Sequence, residues 1–188
     1  IMVLVLVVLA LISLPAPLAT YREQGVLRRM STTPVPPSWL LAAQLIVNLL
    51  LAVLGLAVIV GVGASAFGLV LPSQVGGYLL SLVLTAGALF GLGLCAAAVA
   101  RTAQWAAGIG MALFYPLAFF AGLYYPLAGM PALVRHIATA TPTGAAVDAL
   151  TASLAGRFPG TDALLVLLAY SIVSGLAWAF HADKATRA

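Results

Sequence analysis

Charge is what this sequence has least of. It carries four Asp and Glu and eight Lys and Arg in 188 residues, 6% charged against 64% hydrophobic. A soluble domain carries about 25% charged residues, so this chain could not solvate a surface in water, and a soluble enzyme is excluded. So is a disordered tail, which needs low hydrophobicity and high charge. Cysteine is nearly absent: Cys95 stands alone in an apolar run, so no disulfide forms within the chain. Lysine occurs once, at Lys184 with no Gly-rich loop before it, so a phosphate-cradling loop is missing. No HExxH or GxSxG occurs, and His136 and His181 have no second ligand at metal spacing. The formal net charge of +4 forms no patch that nucleic acid would need.

What is present is long apolar runs. A spanning helix needs about 20 such residues, and residues 39–67, 78–100, 104–124 and 163–180 qualify or nearly so. No Lys, Arg, Asp, Glu or His occurs from Trp39 to Ala100. Backbone groups in lipid must pair internally, and these runs lack the alternation of barrel strands, so helices are expected. A further apolar block opens the chain. It has no basic flank or cleavage site of a signal peptide and reads as a span over residues 1–18 whose beginning is trimmed, with Pro15 and Pro17 ending its helix. The expected fold is an all-α polytopic membrane protein, one domain over residues 1–188.

Basic residues set the orientation. Arg22, Arg28, Arg29, Arg101, Lys184 and Arg187 share one side, six of the eight. The positive-inside rule puts that side and the C-terminus in the cytoplasm and Ile1 on the extracellular side of a cell membrane. A chain starting inside would need one more helix before Ile1. No charge falls inside a span, which argues against a proton-coupled pump.

Two segments are not simply spans. Residues 21–30, YREQGVLRRM, have apolar Tyr21, Val26, Leu27 and Met30 at helical spacing between polar Arg22, Glu23, Gln24, Arg28 and Arg29. This fits a short helix on the membrane surface, an anchor to lipid or a docking element for a cytoplasmic partner. Glu23 favours docking, since a lipid-binding helix gains nothing from a carboxylate. Pro34, Pro36 and Pro37 then stop the helix, and Ser38 is placed to cap the next span. Residues 124–160 are too polar to span and too apolar for a free loop. Pro126, Pro131, Pro142 and Pro159 divide them into two short helices, the second capped by Thr143 with Val147, Leu150 and Leu154 on one face and Asp148 on its flank. They form either an outer gate or a loop packed on the bundle. Gly87 and Gly91 make a GxxxG pair for close helix packing, and Pro116 is placed to kink its span.

These segments carry a resemblance. YREQGVLRRMSTTPVPP resembles the R-E-x-G-x-L-R-R-x-x-x-T-P stretch of type-2 ATP-binding-cassette (ABC) transporter permeases, and YYPLAGMPALVRHIATATPTGAAVDAL resembles the region before that family's last span. Together they cover nearly the whole chain in order. The resemblance implies a non-catalytic permease of an ATP-driven exporter that binds no cofactor itself, ATP being held by a separate ATPase subunit, with a second permease copy or a homologue and membrane lipids as further partners. It implies that residues 21–30 are the coupling helix: Arg22 and Glu23 face the ATPase, Gly25 permits close approach, and Arg28 and Arg29 contact it or lipid phosphates. Pro126, Met130, Pro131, Pro142 and Asp148 would belong to the extracellular gate helices. The spans beginning at Trp39 and Gln104 would line the path, with Asn48 and Phe114 as candidate lining residues. Pro142, Thr143, Gly144 and Ala145 depart from the bulkier residues of many relatives. A non-transporting membrane scaffold is the alternative; a lipid-modifying enzyme would need a polar catalytic cluster that the sequence does not supply.

Overall fold

The computed structural model describes residues 1–24, 38–67, 73–100, 102–125, 129 and 131–187. They are helical, with no strand among the described residues: α1 (Met2–Val8), a π-helical segment (Leu9–Ser13), α2 (Pro15–Glu23), α3 (Ser38–Phe67), α4 (Val75–Val99), α5 (Ala103–Phe120), α6 (Ala132–Ala140), α7 (Pro142–Leu154) and α8 (Thr161–Arg187). Five stretches are long and apolar enough to cross a membrane: Met2–Tyr21, Ala42–Ala66, Val75–Val99, Ala103–Phe120 and Thr161–Trp178. The polytopic helical bundle read from the apolar runs is the fold observed.

The first span departs from expectation. Pro15 and Pro17 do not end it: α1, the π segment and α2 form one continuous 20-residue crossing. The reason is the wider turn just before the prolines, closed by the bond from Leu14 N–H to Leu9 O at 3.0 Å. It lets a new α-helix start at Pro15, so both prolines fall in a first turn, where a missing N–H is tolerated. Pro15 has no donor to offer the carbonyls of Ala10 and Leu11, five and four residues back. Those two oxygens are the ones other helices approach. A Cβ built on Gly93 of α4 would overlap Ala10 O, and one on Gly110 of α5 would overlap Leu11 O. Two glycines thus seat α4 and α5 on the π segment, a close approach that a side chain at either position would prevent.

This span is the centre of the bundle. Leu6, Val7, Leu11 and Leu14 are fully buried and share a core with Ala88 and Leu89 of α4, Leu117 of α5, Ala145, Ala146 and Ala149 of α7, and Leu167 of α8. The most extensive seam joins α4 and α8. There the GxxxG pair meets serines: a Cβ on Gly91 would overlap Ser174 Oγ, and Gly87 lies against Ser171. Ser171 Oγ donates to Leu84 O at 3.2 Å, and Cys95 Sγ donates to Ser174 O at 3.3 Å. Helix α3 is the outlier. Its extensive contacts are with α1 and the π segment alone, through the face of Asn48, Ala52 and Gly55. The rest of α3, from Ile46 to Val62, exposes apolar side chains, as a lipid-facing span does. Pro116 stays inside an unbroken α5.

Turn chemistry closes the elements. Gly122 (φ +82°) and Gly156 (φ +76°) follow α5 and α7, and Leu123 N–H reaches Ala118 O while Arg157 N–H reaches Ala152 O. Both are glycine-ended caps with paired 6→1 and 5→2 bonds. The second short helix is capped by Thr141, not by Thr143: Thr141 Oγ1 accepts from Gly144 N–H at 3.2 Å and donates to Ala138 O at 2.7 Å. Pro142 takes the position after the cap, which moves the helix start two residues earlier and leaves Thr143 fully buried.

Candidate functional site

The spans alternate in direction, so the polar segments between them fall at two opposite ends of the described bundle. At one, α2 closes on the turn between α4 and α5. Ala19, Ala100 and Ala106 form a small second core there, with Ala103 and Ile109 packed on it. Thr102 starts α5 by accepting from Trp105 N–H at 3.1 Å. Beyond this core the last turn of α2 emerges, held by Gln24 N–H to Thr20 O at 2.9 Å, and Glu23 and Gln24 are exposed. Tyr21, Arg22 and Glu23 are therefore the continuation of the first span rather than the start of a separate surface helix, because Thr20 is helical and the backbone bonds run through. The side chain of Arg22, and Gly25, Arg28 and Arg29 altogether, lie outside the described residues. Within this region the structure thus places one candidate docking side chain, Glu23, in the open at the tip of the first span.

At the opposite end α6 and α7 form a hairpin between α5 and α8. Pro131 heads α6 and is exposed; Pro142 heads α7 and is buried; Pro126 and Met130 lie outside the described residues. The buried face of α7 is made of small residues, Gly144, Ala145, Ala146, Ala149 and Ser153, with Leu150 the one large side chain on it. The expected apolar stripe is shifted: Leu154 is exposed and Val147 half-buried. Asp148 is exposed, turned away from the bundle. The Pro142 to Ala145 departure has a reason here. A Cβ on Gly144 would overlap Ala138 O, so a small residue is what allows the α6–α7 corner to fold this tightly.

Asn48 and Phe114 are not brought together. Asn48 is fully buried on the face of α3 that meets the first span; its Nδ2 donates to Gln44 O at 2.9 Å, and its Oδ1 has no partner among the described residues. Phe114 is half-buried against the core, edge-on to Tyr115 at 5.7 Å between ring centres. An open groove of about 440 Å3 lies instead along the outer side of α5, lined by Gln104, Trp105, Gly108, Ile109 and Ala112. Sequence reasoning missed the π-segment seat of Gly93 and Gly110, which is what ties the first span to α4 and α5. The signal for it was two prolines within an otherwise spanning apolar run.

Five crossings, the first of them packed among the others, with an exposed polar tip at one end and a helical hairpin at the other, describe a multi-pass membrane protein. The sequence model of the ABC-2 type transporter family matches residues 1–155, and the chain belongs to that family. The matched stretch contains residues 21–30 and all but the last five of residues 124–160. No curated protein and no solved structure matches the chain significantly.

Proposed function

We propose that this chain is the permease of an ATP-driven exporter: it forms, with a second copy or a homologue, the path for a hydrophobic or amphipathic substrate such as a drug, a lipid or a lipid-linked glycan. A separate ATPase subunit holds the ATP, and the permease supplies no catalytic residue. The end with Glu23 and the C-terminus faces the cytoplasm, and the hairpin faces out. One observation carries the reading. The span bearing Glu23 at its tip is the one wedged between α4 and α5 through Ala10 and Leu11. A push on residues 21–30 enters the bundle at its core and moves helices as rigid bodies. Exposed apolar faces on α3 and α5 leave room for a partner permease or for substrate between them.

The test is the double variant Glu23→Ala with Arg28→Ala, made in the permease co-expressed with its ATPase. Export is expected to fall about tenfold or more while ATP hydrolysis and membrane insertion persist, since residues 21–30 are read as the docking segment and Glu23 is exposed, outside the packed core. Full export by that variant would contradict the docking role.

A further inference from the structure

Helix α6 has three distinct faces. Val134 and Ala138 turn inward, Ala138 being fully buried. Leu133 and Ile137, one turn apart, are 76% and 50% exposed. Arg135, His136 and Thr139 line the remaining face, with Ala132, around a shallow groove of about 460 Å3. At 3.6 residues per turn these are separate stripes along a rod about 14 Å long. Thr139 Oγ1 gives its proton to His136 O at 2.8 Å, so the donors left on that face are the Arg135 guanidinium and the His136 ring. No ion pair involving Arg135 occurs among the described residues.

The level of α6 relative to a bilayer follows from its neighbours. Span α5 ends at Phe120 and α8 begins at Thr161, so the hairpin lies at one membrane boundary. Tyr124 and Tyr125 after α5, and Phe158 before α8, are exposed aromatics at the depth where such rings collect. A helix at that depth with an apolar stripe beside a basic one is suited to lie along the interface. Two apolar side chains are far too little for a stable protein interface, which needs about 800 Å2 per partner.

We propose that α6 is a lipid-binding helix: Leu133 and Ile137 enter the acyl region of the leaflet at the hairpin end, and Arg135 with His136 holds the phosphodiester of an anionic glycerophospholipid. The surface goes beyond the export reading and does not depend on an ATPase, so it is read with the permease alone.

The experiment uses the full chain carrying Cys95→Ser, with nitroxide labels placed through Leu133→Cys, Ile137→Cys or His136→Cys, in vesicles of phosphatidylcholine with phosphatidylglycerol. Labels at 133 and 137 are expected to be reached by oxygen more than by a water-soluble nickel chelate, and the label at 136 the reverse. A nickel preference at all three positions, an oxygen preference at all three, or shielding from both reagents at 133 and 137 (a protein cover, such as a second copy) would each overturn it. A second arm measures retained phospholipid by native mass spectrometry. Arg135→Ala should lower phosphatidylglycerol retention about fivefold relative to phosphatidylcholine, and Arg135→Lys should restore most of it. Equal retention of the two lipids with and without Arg135, or competition by inorganic phosphate in place of lipid, would overturn the headgroup role.

Discussion

Two glycines decide how closely the central span is held. Gly93 and Gly110 each face a backbone carbonyl, which cannot move aside as a side-chain tip can. Gly93→Ala is therefore expected to destabilise the protein by about 1–3 kcal/mol, the range for overpacking a filled site. Gly108→Ala, where a Cβ would meet nothing within 4 Å, should stay within about 0.5 kcal/mol. Denaturant titration of both variants in one detergent separates them, and equal losses would show that the seat is not where the packing is tight. Thr141 is the second single-residue case. Thr141→Ala removes the cap on Gly144 N–H at a cost of about 1 kcal/mol, so amide exchange at the start of α7 should rise about fivefold. These positions differ in how much of them the sequence showed. Helix-ending glycines such as Gly122 and Gly156 carry a local signal. The partner of Gly93 does not, because it lies on a helix far away in the chain, and the choice between Thr141 and Thr143 turns on which backbone N–H is left open after Pro142.

At the scale of elements, the spans were legible because lipid imposes one requirement on all of them: a sustained apolar run with its backbone bonds closed internally. What was not legible is how the first run passes its prolines. Pro15 and Pro17 signal an interruption on their own; the π segment turns that interruption into a restart, and only the packing of Ala10 and Leu11 on α4 and α5 shows it. A π bulge behaves as one residue inserted into an α-helix. Deleting Ile12 should straighten the segment and turn α2 by about 100° against α1. The deletion is expected to leave membrane insertion intact and to abolish export in the presence of the ATPase. Unchanged export would mean that the orientation of the tip is not set by the π segment. The hairpin was legible as two short helices but not in its face, because the burial of Ala145, Ala146 and Ala149 is dictated by the close approach of α4 and α8 rather than by the larger side chains nearby.

For the whole molecule, membership of the ABC-2 type transporter family and the described bundle agree on one layout. Helices α4, α5 and α7 pack against the first span, α3 leans on it by one face, and the exposed Glu23 and the α6–α7 hairpin lie at opposite ends. That layout was readable from the order of the motifs; the candidate path was not. Asn48 and Phe114, the candidate lining residues, both pack against other helices of the same chain. A path between two permeases is formed by outward faces, which a single chain's sequence does not distinguish from lipid-facing ones. Labelling single cysteines placed at 23 and at 136 in intact cells, with Cys95→Ser, should show the first shielded and the second reactive to an impermeant reagent. The reverse pattern would invert the orientation.

The most direct measurement is a photo-cross-linker placed at position 23 of the permease co-expressed with its ATPase. A covalent adduct of permease and ATPase, with a yield that changes when ATP is added, is the result expected if force enters the bundle through the tip of the first span. Adducts with phospholipid alone, with the ATPase present in the same membranes, would contradict it.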